Sequence, residues 1–546
     1  MAEVSKRLNN VAGKVDLLVV GGGITGAGIA LDAASRGLKV VLVEKGDFAS
    51  GTSSASSKLI HGGFRYLKSR DFRLVFEALH ERGLLLKLAP GLVKPLPFLI
   101  PVYGGGFKHI KKLIQWVFAP EKITMMELVK APLALRAAVF LYDLLAGREK
   151  IKKHRILSKE DVLRVEPELN PRGLKSGAIY WDAFGLDFRL TLSIVKKARD
   201  YGAICVNYAK VVEFLRENCT VVGARVRDRL SGEEFDLFAR KVVVAAGPWA
   251  DIVRTKAGIE RRVLRPTKGS HIVVSRDRLS IRNAVVMEAI DGRLTFAIPW
   301  DDTVIIGTTE IEFYESPDEA RITKEEVDYL LEVANRYFPS ANLGYDDILS
   351  TYSGVRPLID VRGLSATDVS REHRIVEENG MITIAGGKLT TYRVMAKDVV
   401  DRVVKDLGVE KECTTHSIRL KEPCREEDID IDDIDVRKHL SEIYSREEVE
   451  RIVQMVKENP SLGERILPEY PHIWAEVTFA VTQEFAVRLS DVIIRRLGLY
   501  FKSPDGELAR RIAEHMGEIL GWDAQRIEKE VREYLKEVKK NMEWRE

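Results

Sequence analysis

The stretch that most restricts the fold runs from Val15 to Glu44. An apolar, β-branched run (Val15 to Val20) enters a glycine turn, and small residues from about Ile24 to Arg36 predict a helix. Gly37 closes that helix, and a second strand, Leu38 to Val43, ends on Glu44. The glycines fall as G-x-G-x-x-G at Gly21, Gly23 and Gly26, with the acidic residue roughly 20 residues on. Gly21 permits the tight turn, Gly23 lets the backbone approach a pyrophosphate, and Gly26 lets helix and sheet pack closely. N–H groups at the helix start, those of Ile24 and Thr25 among them, and the positive dipole end would hold phosphates. A carboxylate at Glu44 would accept from ribose hydroxyls and disfavour a 2′-phosphate. The stretch reads as a dinucleotide site.

At 546 residues the chain exceeds one ordinary domain and suffices for two or three. A hydrophobic content of 45% with 31% charged residues fits a globular protein with a substantial core. A net charge of +3 gives no ground for nucleic-acid binding, and none is expected. The four cysteines (Cys205, Cys219, Cys413, Cys424) form no C-x-x-C pair. That pattern predicts a reducing compartment, with no disulfide framework and no iron–sulfur or zinc site. MAEVSKRLNN lacks the apolar stretch of a signal peptide, and no run of 18 uncharged apolar residues occurs. A cytoplasmic protein without a membrane span is the expectation.

After Glu44 comes a Ser- and Gly-rich loop, then a helix-like stretch from Asp71 to Leu88, then a region broken by Pro90, Pro95, Pro97 and Pro101. From Gly104 to Arg155 basic and apolar residues are mixed. Lys108, His109, Lys111 and Lys112 stand among Ile110, Leu113, Trp116 and Phe118, followed by the apolar stretch Leu128 to Leu145. This composition suits helices lying on an anionic membrane surface, lysines above and Trp, Phe and Leu below. A helical hairpin packed on the protein's own core, lysines outward, is the other reading, and both stay open.

Further on, Ile204–Tyr208, Val211–Leu215, Val221–Val226 and Phe235–Ala239 read as strands. Lys241–Ala246 reads as a buried strand running into Gly247-Pro248-Trp249, a second nucleotide contact. Gly269–Val274, Leu294–Pro299 and Thr303–Thr308 alternate as an antiparallel sheet does, suiting a separate substrate domain. Ile382–Ala385 runs into Gly386-Gly387-Lys388 and another helix. Residues 15–408 form the main region, 409–435 a linker whose acidic part is a solvated spacer, and 436–546 a helical C-terminal domain.

Seven segments then occur in order: SSASSKLIHGGFRYL, KVVVAAGPWA, KGSHIVV, PWDDTVIIGTTE, YSGVRPL, SREHRIV and AGGKLTTYR. Together they resemble the FAD-dependent, quinone-linked glycerol-3-phosphate dehydrogenases, members of the D-amino-acid-oxidase-like flavoproteins, over roughly 15–408. VRLSDVIIRRLGL extends the likeness into the helical tail. The resemblance implies an α/β fold: an FAD-binding Rossmann-like domain, an interleaved antiparallel-sheet substrate domain and an all-α C-terminal domain. It also implies oxidation of sn-glycerol 3-phosphate to dihydroxyacetone phosphate by hydride transfer to FAD. Electrons would pass to a membrane quinone, with the protein attached peripherally to the inner face of the cell membrane. An oxidase that uses oxygen and makes peroxide is the nearest alternative. Two positions depart from the family pattern, Phe64 for the usual Leu and Glu310 for the commoner Asp.

By the same resemblance Arg65 and Tyr66 grip the substrate's phosphate, and Arg356 and Arg371 are further substrate arginines. The chemistry agrees, since a phosphorylated polyol needs cations and Arg presents a fork suited to phosphate oxygens. Hydride transfer from C2 also requires the C2 hydroxyl proton to leave, and a base near neutral pKa suits that task. His61, four residues before Arg65, is the candidate base; His271 is the competitor and a substrate contact. Arg356 stays protonated and is assigned substrate and alkoxide stabilisation. Lys388, with Gly387, Leu389 and Thr390, stands where a cation and helix-start N–H groups suit the negative charge of reduced flavin. Contact with substrate is equally open to it. Lys45, Thr52, Ser53, Ser57, Ala246, Gly247 and Trp249 complete the cofactor set. Lys268 is a weaker active-site candidate, Arg374 an extra cation without a clear role, no metal is expected, and a homo-oligomer is left open.

Overall fold

The computed structural model describes residues 13–67, 71–104, 132–360, 372–502 and 506–545; of Arg65, Tyr66 and residues 132–134 it describes the backbone only. Strand β1 (Val15–Val20) is buried along almost its whole length, as a strand covered on both faces must be. Helix α1 (Ile24–Ser35) follows the glycine turn, and β2 (Val40–Val43) returns beside β1. A 3₁₀ turn (Phe64–Leu67) and helix α2 (Phe72–Leu88) lead to β3 (Val93–Tyr103), which enters a second sheet. Helix α3 (Pro132–Ala146), β4 (Leu174–Gly185) and helix α4 (Asp187–Asp200) follow. The chain re-enters the first sheet as β5 (Glu234–Val244) and builds the second with β6 (Leu264–Ser275), β7 (Leu294–Trp300), β8 (Thr303–Gly307) and β9 (Ile348–Ile359). It returns once more as β10 (Met381–Gly386) and helix α5 (Tyr392–Leu407). The tail carries helices α6 (Ile434–Ile443), α7 (Arg446–Glu458), α8 (Trp474–Gln483), α9 (Gly506–Leu520) and α10 (Ala524–Met542).

The first sheet runs His373–Glu378, β10, β5, β1, β2, Ile204–Val206, with β10, β5, β1 and β2 parallel. Alternate residues face opposite sides, so Leu17, Val19 and Leu42 meet α1, α4 and α5, whereas Leu18, Val20 and Val41 face the antiparallel flap Ala209–Asp228. Among the described residues the second sheet has ten strands; β6 lies between β9 and β8, and β3 pairs with β4 along its length. The two sheets come from alternating parts of the chain, which is the interleaving expected above.

Three local expectations differ from the structure. Pro95, Pro97 and Pro101 lie inside β3 rather than ending a strand. All three are odd-numbered, so their missing N–H groups point to one side, while β4 uses the other set of residues. On the proline side, among the described residues, β3 has a strand partner only at Phe98 and Leu99. Secondly, residues 425–435 are not a free spacer. Ile429 is buried in the tail's core, and Asp433 caps α6 while holding Arg465 at 2.7 Å. Thirdly, within the tail expected to be helical, the helical pattern from Pro471 to Arg496 breaks after Gln483 and resumes as a π-helical turn, Asp491–Arg496. The Asp491 carboxylate accepts from the N–H groups of Val487 and Arg488, supplying the second segment with its own start.

Within the basic amphipathic region, 105–131, including Lys108 to Phe118, lies outside the described residues. Helix α3 buries Leu135, Ala138, Val139 and Tyr142 against the protein's own core and leaves Phe140 and Leu144 60% and 64% exposed. Among the described residues no helix is long and apolar enough to cross a membrane.

Candidate active site

At the end of β1, Gly21 takes φ +114°, and its N–H donates to Val43 O. A Cβ on Gly21 would stand 2.6 Å from Ala245 O, and one on Gly26 would stand 1.8 Å from Gly21 O. Both positions therefore need glycine for close backbone approach. Glu44 does more than was expected of it. Its two carboxylate oxygens accept from Gly22 N at 2.6 Å and Gly46 N at 2.8 Å, tying two turns together. Burial raises its pKa against the pull of these N–H groups. Ser53 Oγ accepts from Ile24 N at 3.0 Å, and Thr52 Oγ1 donates to Val355 O at 2.6 Å, pinning the Ser-rich loop to α1 and to β9. Lys45 Nζ sits 4.2 Å from the Trp249 ring centroid and pairs with Asp318 at 2.7 Å.

These groups open onto a cavity of about 1350 Å³. All the predicted cofactor residues line it except Gly26, which lies behind at the helix–sheet contact. The volume, the glycine cradle and the start of α1 fit a flavin dinucleotide with space left for a small substrate. Trp249 Nε1, on the wall, is buried without a hydrogen-bond partner among the described residues.

The cavity wall also carries His61, His271, Arg356 and Lys388. Arg356 leaves β9 with Nη2 donating to Thr308 Oγ1 at 2.8 Å, and Glu310 stands 3.7 Å from Nη1. Across the ladder a Cβ on Gly269 would come within 2.3 Å of Arg356 Nη2, so glycine there gives the guanidinium its place. His271, on β6, stacks on Tyr352 at 4.6 Å and holds Ser57 Oγ at 2.8 Å through Nε2. Its pKa lies well below the ordinary histidine value because of burial, then the charges of Arg356 and Lys58. It is therefore a neutral imidazole at pH 7. Gly386 and Gly387, at φ +76° and +82°, make the turn that presents Lys388, and His61 N donates to Thr390 Oγ1 at 3.3 Å, linking the two halves of the wall.

Other candidates fall elsewhere. Phe64, in the 3₁₀ turn, lines the cavity, but the side chains of Arg65 and Tyr66 lie outside the description, and Arg371 lies outside the described residues. Lys268 is directed away from the cavity, its Nζ 2.8 Å from Glu326 and bonded to Arg321 O at 2.6 Å. Buried neighbours on β6 and the helix Lys324–Tyr337 hold it there. Arg374 is exposed and not on the wall. Sequence reasoning missed the fully buried Lys58–Asp187 pair (2.7 Å) beneath the Ser-rich loop. Its partners are 129 residues apart, and no local pattern announces them.

A parallel sheet with a dinucleotide turn, joined to a large mixed sheet that closes a cavity over it, defines a flavin-dependent oxidoreductase. The family model described as FAD dependent oxidoreductase matches residues 16–402, and the chain belongs to that family, with FAD as its cofactor. A second, the C-terminal domain of alpha-glycerophosphate oxidase, matches 385–527. Full-length likeness is to the aerobic glycerol-3-phosphate dehydrogenases of Staphylococcus aureus, 34% identical over 98% of this chain and 96% of theirs. The solved glycerol-3-phosphate dehydrogenase from Bacillus halodurans, complexed with FAD, superposes with a TM-score of 0.79 at 32% identity, covering 99% of this chain and 98% of that one. An L-alpha-glycerophosphate oxidase from Mycoplasma pneumoniae shares the fold, with a TM-score of 0.54 at 20% identity over 76% of this chain and 99% of that one.

Proposed function

We propose that the protein oxidises sn-glycerol 3-phosphate to dihydroxyacetone phosphate and delivers the electrons to a membrane quinone. The observation that carries this reading is that two imidazoles and two cations, His61, His271, Arg356 and Lys388, line the same cavity as the dinucleotide turn. FAD supplies the hydride acceptor. Arg356, held by Thr308, stabilises the developing alkoxide, and His61 takes the C2 hydroxyl proton. His271, neutral and fixed by Ser57 and Tyr352, orients the substrate hydroxyls. Arg65, Tyr66 and Arg371 bind the phosphate, and Lys388 stabilises negative charge beside the flavin or on the substrate.

Peripheral attachment to an anionic membrane completes the proposal. Phe72 and Phe76 on α2 are 38% and 57% exposed, one helical turn apart, and α2 packs beside α3, which exposes Phe140 and Leu144. Apolar groups so placed, on both sides of the basic segment, suit insertion at a lipid surface. Oxygen is the competing acceptor, favoured by the oxidase domain model that matches the tail. Anaerobic addition of glycerol 3-phosphate should bleach the bound flavin. Rapid reoxidation by a soluble quinone without peroxide supports the dehydrogenase, whereas peroxide matching substrate consumption would replace it with an oxidase. A flavin that stays yellow removes the substrate assignment.

A further inference from the structure

Away from the flavin cavity, the helical tail encloses a second convergence of chemistry. His439 on α6, His472 just before α8 and Glu476 on α8 bring three ligand atoms within 4.8 Å of one another. Glu476 is 1% exposed, His472 8% and His439 12%. His439 Nε2 stands 2.8 Å from Glu476 Oε1, and His472 Nδ1 stands 3.5 Å from the same oxygen. A tetrahedral zinc ion with bonds of about 2.0–2.2 Å sets its ligands about 3.3–3.6 Å apart, so the second spacing fits as it stands and the first would open by about 0.5 Å.

We propose that His439, His472 and Glu476 form a zinc site that ties α6 to α8, water taking the fourth position. Two imidazoles and one carboxylate are a donor set that zinc accepts. His472 Nδ1 is buried with no hydrogen-bond partner among the described residues, and it is aimed at the carboxylate. Tyr444 OH donates to Glu476 Oε1 at 3.1 Å and Ile473 N to Oε2 at 2.9 Å, orienting the carboxylate from outside the cluster. Lys502, the cation facing this cluster from the next segment, is matched by Asp301 and Asp302 at 3.2 and 2.8 Å. On metal binding the ring proton of His439 moves to Nδ1. The scattered cysteines join no ligand cluster among the described residues and do not bear on a His–Glu site. The single local cue, His472 and Glu476 four residues apart, gains meaning only when the fold adds His439.

None of the three residues lines the flavin cavity, so the ion would act on the tail's stability and not on chemistry. The test uses the full-length, FAD-loaded protein, stripped of metal and titrated with Zn²⁺ and, separately, Co²⁺. One equivalent should bind, with the intense visible bands of four-coordinate cobalt and a rise in Tm. His439→Gln and His472→Gln should each weaken binding at least about 100-fold, beyond the loss that follows from removing an outer partner. Both should abolish the Tm rise while flavin absorbance and reduction by substrate stay unchanged. Absence of stoichiometric uptake by the unsubstituted protein, or cobalt bands that are weak and octahedral, overturns the site and leaves a hydrogen-bonded cluster. Uptake undiminished in both variants overturns it equally. Because the cobalt spectrum of the unsubstituted protein decides by itself, a variant that fails to fold does not obscure the outcome.

Discussion

Arg356 keeps its position only because Gly269 has no side chain. Gly269→Ala should push the guanidinium off Thr308 and lower kcat/KM for glycerol 3-phosphate at least tenfold, about 1.4 kcal/mol, with FAD still bound; an unchanged kcat/KM would remove Arg356 from the substrate. Arg65→Ala should raise KM with flavin retained, since loss of a charge-assisted contact costs roughly 1.5–3 kcal/mol. His61→Ala should instead slow flavin reduction in stopped flow, with modest loss of binding. What was legible at this scale is local: His61 follows the Ser-rich loop, Gly387 and Lys388 share one turn, and all three line the cavity. Other features were not. Glu44 reads as a ribose ligand, yet its two short bonds are to its own chain. The low pKa of His271 depends on burial, then on Arg356 and Lys58, which reach it from two other parts of the chain.

The element that organises the cofactor site is the start of α1. A methyl group at Gly26 would meet Gly21 O at 1.8 Å, so Gly26→Ala should open the turn and yield protein purified without flavin absorbance. At the other pole of the proposal, Phe76→Glu with Phe140→Glu should reduce sedimentation with anionic vesicles and spare flavin reduction by substrate. Undiminished vesicle binding would take α2 and α3 out of the membrane account. The βαβ unit was legible element by element, since strand, glycine turn, helix and acid each carry their own signal. The prolines of β3 misled because a proline ends a strand only where its N–H is wanted. That depends on which neighbour lies on which side, a fact of sheet order that local sequence does not hold. The acidic stretch at 425–435 misled for a related reason: Ile429 is one apolar residue among charges until α6 and α7 enclose it.

In the whole molecule, the tail is fastened to the nucleotide-binding part by buried charges. Asp47, three residues after Glu44, accepts from Arg495 at 2.6 Å and from Arg496 at 2.7 and 2.9 Å, and Glu484 holds Arg189 through two bonds and Lys196 at 2.6 Å. Asp47→Ala leaves two buried guanidinium groups short of a counter-charge and should cost about 3–5 kcal/mol in denaturant unfolding. Burial alone would raise the pKa of Glu484, but Arg189 and Lys196 outweigh it and bring it down to about 2 from the ordinary 4.5. A folded-state pKa below the unfolded one gives stability that is complete above pH 4.5 and lost as pH falls toward 2. Glu484→Gln should flatten that part of the stability–pH curve. None of these pairs was legible, because each joins segments hundreds of residues apart.

The distance between Asp47 and Arg496 also sets a clock. They are separated by 449 residues, and a ribosome adding about 5–20 residues per second needs on the order of 20–90 s to pass from one to the other. Throughout that interval the loop beyond Glu44 carries a carboxylate destined for burial whose counter-charges do not yet exist. The charge pairing beneath the nascent dinucleotide turn is therefore completed only once Arg495 and Arg496 have left the ribosome.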